Sequence, residues 1–120
     1  MAKFVPDAAM NAILDYYAAS TLQSVVSDTE TPTDLTNTLA EVAMDAGDYT
    51  KAVGDAGAGS RKVTMAAKND VPVDAAGAPK HVVLSLTGGI RLVTTCTGPD
   101  LTVGSNVNFP AWEYEIGIPT

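Results

Sequence analysis

One cysteine, one histidine and one tryptophan in 120 residues leave this chain little with which to do chemistry. With Cys96 alone, no internal disulfide can form, and the fold has no need of an oxidising compartment. Aromatic residues are only 6% of the chain, so a core must be built from Val, Leu, Ile, Ala and Met. Cations are scarce: 7 Lys and Arg face 14 Asp and Glu, a net charge of -7. Nucleic-acid binding depends on cations that displace counterions from phosphate, and anionic membranes attract basic patches, so neither partner is expected. No apolar run nears the roughly 20 residues of a membrane span. The start, Met1 to Asp7, lacks the hydrophobic stretch of a secretory signal, so the expectation is a protein that stays in the compartment where it is made.

What is present suits a folded domain. Hydrophobic residues make up 46% and charged residues 18%, too apolar for a disordered chain. The length allows one domain, residues 1–120, and chains of this size bury roughly two-thirds of their unfolded surface. The opening residues read as a helix over about 7–19, with Asp7 as its cap. Met10, Ile13, Leu14 and Tyr17 fall at i, i+3, i+4 and i+7, one apolar stripe. A helix of three turns is marginal alone in water, so the stripe docks either on its own domain's sheet or on a neighbouring subunit.

After Ser20 the pattern turns to β. Strands are expected at Leu22–Ser27, Leu39–Met44, Arg61–Ala67, Lys80–Leu86, Ile90–Cys96, Val107–Phe109 and Trp112–Ile116. Asp28 to Asp34, Asp45 to Asp48, Gly54 to Gly59 and Gly98-Pro99-Asp100 read as loops. Gly88-Gly89 suits a tight hairpin turn, with Val82, Leu84 and Leu86 facing the core from one strand and Ile90, Leu92 and Cys96 from the other. Seven to nine short strands after one helix point to a mainly β chain, a β-sandwich with the jelly roll among its forms. Residues 117–120 form a short tail that exposes Ile118.

Each catalytic pattern fails on context. Gly54-Asp55-Ala56-Gly57-Ala58-Gly59-Ser60-Arg61 is glycine-rich like a phosphate loop, but it lacks the Lys-Ser/Thr pair and a strand follows where a helix should begin, so it reads as a mobile surface loop. Ser85 and His81 have no nucleophile elbow around them. The acids Asp28, Glu30, Asp34, Glu41, Asp45, Asp48 and Asp55 lack the spacing of a calcium loop and read as solvated surface, with Lys51 alone opposing them. Glu113 and Glu115 sit on one face of a strand, roughly 6.5–7 Å apart, side by side instead of across a cleft. Cys96 lacks the basic or helix-terminal setting of a reactive thiol. No enzyme, cofactor or metal is expected.

Gly59-Ser60-Arg61-Lys62-Val63-Thr64, Ala76-Gly77-Ala78-Pro79-Lys80-His81-Val82-Val83-Leu84, Leu92-Val93-Thr94-Thr95-Cys96 and Pro110-Ala111-Trp112-Glu113-Tyr114-Glu115-Ile116, together with the opening helix, resemble a family of small virion structural proteins of tailed bacteriophages. The likeness runs from about Met10 to the end and departs over Thr33–Gly57, which reads as a member-specific loop. It implies a protein made in the host cytoplasm and built into the virion, with the major capsid protein or another virion protein as partner, and a homo-oligomer as its state. It brings no catalytic residues. A capsid decoration or cement protein is the leading placement, since an acidic surface suits a shell's exterior. The helix stripe Met10, Ile13, Leu14 and Tyr17, with Ile118 of the tail, would then be the subunit-docking elements. The alternatives are a tail, baseplate or fibre-associated protein, and a host-glycan-binding module presenting Tyr49 beside the glycine loop.

Overall fold

The computed structural model describes residues 6–87 and 89–117. One helix, α1 (Asp7–Ala18), precedes nine strands: β1 (Leu22–Val26), β2 (Thr38–Ala43), β3 (Tyr49–Val53), β4 (Arg61–Met65), β5 (Lys68–Pro72), β6 (His81–Leu86), β7 (Gly89–Thr95), β8 (Asn106–Phe109) and β9 (Trp112–Ile116). The chain is thus mainly β with a short N-terminal helix, and its antiparallel sheets stack in a sandwich-like arrangement.

The helix starts one residue earlier than its apparent cap. Pro6 holds the N-cap position in extended conformation, and no side chain caps the helix. Its carbonyl accepts from Ala9 N at 3.0 Å and Met10 N at 3.2 Å. Asp7 instead occupies the first turn, where its carboxylate complements the helix dipole.

The largest sheet has the order β2-β1-β6-β7. Its inner strands β1 and β6 are covered on both faces, so they read as near-continuous buried runs: Gln23 to Val26, and Val83 to Ser85 with His81. That overturns the one-faced assignment of Val82, Leu84 and Leu86 to the core; Val83 and Leu84 are fully buried, and Val82 and Leu86 only partly. The β6–β7 hairpin pairs Leu86 with Gly89, so its loop is residues 87 and 88 and not Gly88-Gly89. Thr87 takes φ 53° there, a left-handed conformation that a β-branched residue adopts only at a cost.

A second sheet has the order β3-β4-β9 and a third pairs β5 with β8. Neither β3 nor β5 stands out in the sequence. β3 is an edge strand with little alternation, and β5 carries Pro72, a positive φ at Asp70 and a register shift between Lys68 and Val71. Within the segment 33–57, where the resemblance departs, the expected strand and turn are present as β2 and a 3-10 turn (Ala46–Asp48), and β3 follows where no strand was expected.

Two cores result. In the first, Leu14, Met44, Val63, Met65 and Leu84 are buried, with Ala18, Tyr49, Leu92, Trp112, Tyr114 and Ile116 packed against them. It lies between the four-stranded and three-stranded sheets and is closed by α1. In the second, Val25, Leu39, Ala40, Val71 and Phe109 join the same large sheet to the β5–β8 pair. The body is long, 54 × 29 × 25 Å, with a radius of gyration of 15.5 Å. A compact chain of this length would have about 13.6 Å.

Candidate functional site

The helix stripe is divided between core and surface. Met10 and Leu14 are fully buried, Leu14 inside the first core, so neither is free to dock on a neighbour. Tyr17 is half-buried, edge-on to Tyr114 with ring centroids 5.0 Å apart. Ile13 remains exposed at 46%. Ile118 lies outside the described residues. The correction has a simple cause: the domain has few large side chains, and its own sheet takes the centre of the stripe.

The rest of α1 is held by polar ties. Asp15 pairs with Lys51 on β3, Asn11 Oδ1 accepts from Arg61 Nε on β4 at 3.0 Å, and Arg91 on β7 donates to Tyr16 O at 2.7 Å. The Arg91 guanidinium also lies 4.0 Å from the Tyr16 ring centroid, a cation–π contact on an aromatic that is 52% exposed. Ala8, Ala12, Asp15 and Ala19 fall at i, i+4, i+7 and i+11 and are all exposed.

The glycine loop is tied down by its own chain. Gly54 N donates to Ser60 O at 3.2 Å, Gly57 N to Gly54 O at 3.1 Å, and Ser60 Oγ to Gly57 O at 2.6 Å. Glu115 reaches over from β9, and its carboxylate accepts from the backbone N–H of Asp55 and, at 3.4 Å, of Ala56. The loop amides therefore do gather an anion, but an internal one, which replaces the expectation of a mobile loop. Gly54 permits the approach: a Cβ there would lie 2.6 Å from Ser60 Oγ and closer still to the Glu115 carboxylate. Beside it, Lys62 Nζ lies 2.8 Å from Asp55 Oδ1 and 3.0 Å from Glu113 Oε2. Hydrogen bonding to Lys62 holds the Asp55 carboxyl below its usual range, and the two acids push Lys62 up.

The strand pairing places Glu113 and Glu115 on the same face as Lys62 and Thr64, as expected of a wet outer face. The other acids are paired more than the sequence suggests. Lys68 Nζ is 2.8 Å from Asp48 Oδ1 and, together with the Asp45 amide, keeps Asp48 below the ordinary carboxylate range. The Asp28–Asn37 loop is organised by Asn37 Nδ2 to Asp28 Oδ1 at 2.6 Å and Thr36 Oγ1 to Asp34 Oδ1 at 2.6 Å, which lowers Asp34. Among the described residues, no three His, Cys, Asp or Glu side chains are grouped to hold a metal ion.

The remaining candidates are structural. His81 is buried at the start of β6, its Nδ1 2.9 Å from Asp28 O, and Ser85 is buried in the same strand. Tyr49 is no exposed platform for a sugar ring: its hydroxyl donates to Ser20 O at 2.9 Å, and burial pushes its pKa up to about 12. Cys96 is partly buried against the second core, and burial pushes its thiol up, away from reactivity. Gln23 is fully buried, with its Oε1 accepting from Trp112 Nε1 at 2.7 Å and its Nε2 unpartnered among the described residues. No helix of the described residues is long and apolar enough to cross a membrane.

The Glu115 latch and the Arg91–Tyr16 contact were invisible in the sequence, since each joins residues far apart along the chain. Comparison with family models, with curated proteins and with solved structures found no match to this chain.

Proposed function

We propose that this chain is a virion structural protein of a tailed bacteriophage, and within the particle a capsid decoration or cement protein that binds and stabilises the head shell. One observation supports the reading above others. The four segments that carry the resemblance lie on β4, β6, β7 and β9, and all four supply the first core, through Val63, Leu84, Leu92, Trp112, Tyr114 and Ile116. The residues that carry the likeness thus include strands that build one core.

In this role the partner is the major capsid protein or another virion protein, and the acidic surface faces solvent, away from packaged nucleic acid. The test is the copy number per particle, by quantitative mass spectrometry against the major capsid protein. Hundreds of copies in a simple ratio to the shell subunit are expected. A dozen or fewer would move the protein to the tail or baseplate, and none would end the particle reading.

A further inference from the structure

The three-stranded sheet ends in two open edges whose hydrogen-bonding groups are in phase with one another. Ala66 N donates to Asp48 O and Gly54 N to Ser60 O, in the register that pairs Tyr49 with Met65. Even-numbered residues of β3 therefore bond towards β4, and Lys51 and Val53 turn their N–H and C=O groups outward. By the same alternation, Val63 and its neighbours at 61 and 65 bond towards β9, which leaves the backbone groups of Glu113 and Glu115 outward on the far side. None of these groups takes a backbone partner among the described residues. Thr50 to Val53 are all exposed, and Val53 at 55% is among the most exposed large apolar side chains.

Proteins commonly protect such an edge with a lysine that projects along it. Here Lys51 is drawn aside to Asp15 on α1. Both edges belong to one sheet in which β3 and β9 run in the same direction, each being antiparallel to β4.

We infer that the β3 edge of one copy takes the β9 edge of a second copy, in parallel, so that the three-stranded sheets join head to tail around a closed ring. The phase fits. With Lys51 set beside Tyr114 of the second copy, Lys51 N–H meets the carbonyl of Glu113, and Glu115 N–H meets the carbonyl of Lys51. Val53 N–H then meets the carbonyl of Glu115, and the inner faces of the two sheets stay on one side. Charge disfavours the two-fold alternative: β3 against a second β3 sets Lys51 at or near its own copy, whereas here the inner-face Lys51 lies beside Tyr114. Heterologous contacts close into a ring where the rotation from copy to copy completes a turn, and the twist between adjacent strands supplies a rotation at each junction. An open filament would instead keep the pairing and overturn the ring. The inference does not depend on the particle reading.

Sedimentation velocity on the full chain, from micromolar to millimolar concentration, is the first measurement, and a concentration-dependent ring is expected. Val53→Pro removes one outward N–H without touching a bond to β4, so the monomer should keep its circular dichroism while association weakens about tenfold. In a Cys96→Ser background, the pair Thr50→Cys with Glu113→Cys should cross-link between copies into a closed ladder, since adjacent strands bring these outer-face positions within disulfide range. A chain that stays monomeric throughout overturns the inference. So does efficient cross-linking of Thr50→Cys alone, which would show β3 paired with β3, and so does association unchanged in Val53→Pro.

Discussion

The replacement Leu14→Ala tests whether the helix belongs to the body or is an arm held out for a neighbour. Leu14 is fully buried beside Met44, Val63, Met65 and Leu84. Leu-to-Ala changes at such sites cost roughly 2–5 kcal/mol, and because half-buried Ala18 and Tyr49 can relax into the space, about 3 kcal/mol is expected. Unfolding entropy near 2.1 cal/mol/K per residue gives about 0.25 kcal/mol/K for this chain, so Tm should fall by about 12 °C. Ile13 is its control, adjacent in sequence, equally aliphatic and 46% exposed. Ile13→Ala should cost about 0.5 kcal/mol, or about 2 °C. The assay is a far-ultraviolet circular dichroism melt at one low protein concentration, since association raises Tm by mass action. A Leu14→Ala loss under about 4 °C, or one matched by Ile13→Ala, would refute the placement of the helix in the core.

Alkali should unfold the protein through Tyr49. Its pKa in the fold, about 12, lies above its ordinary value of 10.0, so its contribution is complete below pH 10 and disappears as pH rises towards 12. Tyr17 is shifted in the same direction. Tyrosinate absorbance should lag and then rise together with loss of the β signal, and Tyr49→Phe should flatten that loss. Asp48, held down by Lys68, works in the opposite sense: its contribution is complete above the ordinary carboxylate range and is lost as acid titrates below it, so a Lys68→Met variant should show a shallower acid limb in urea titrations. Thr87→Asn should stabilise by about 1 kcal/mol, raising Tm by about 4 °C, because asparagine accepts the left-handed φ and makes the hairpin sequence Asn-Gly. Glu115→Ala should free the loop amides: exchange at Asp55 and Ala56 is expected to accelerate by about tenfold, while the amides of Val63 and Leu84 keep their protection.

Strands that alternate against a buried face were readable. Val63 and Met65 opposing Lys62 and Thr64 announced β4, and Trp112 to Ile116 announced β9 with its wet face. Strands at the ends of sheets were not. β3 puts Lys51 on the inner face and Ala52 on the outer, so the pattern that marks burial is missing where burial itself is missing. β5 is polar, and its bulge breaks the period. The helix was legible as a helix, but its stripe was read one flank too wide, because a four-residue stripe does not say which member lies at its centre. Surface ties such as Glu115 to the glycine loop span 60 residues along the chain. Only the register of β9 on β4, which no local pattern encodes, brings those groups together.

The four-stranded sheet is the one wall shared by both cores, and this bears on how the protein opens. At one end it is braced by three strands and a helix; at the other, by β5 and β8 alone, with a bulge and a proline in the pairing. The second end has fewer hydrogen bonds to break and should fluctuate open while the first stays closed, a local unit of low stability within one chain. Native-state hydrogen exchange would then divide the molecule along its length, slow at Val63 and Leu84 and fast at Val71 and Val107. A neighbour that gripped the softer end would quiet those fluctuations with no rearrangement of the rest.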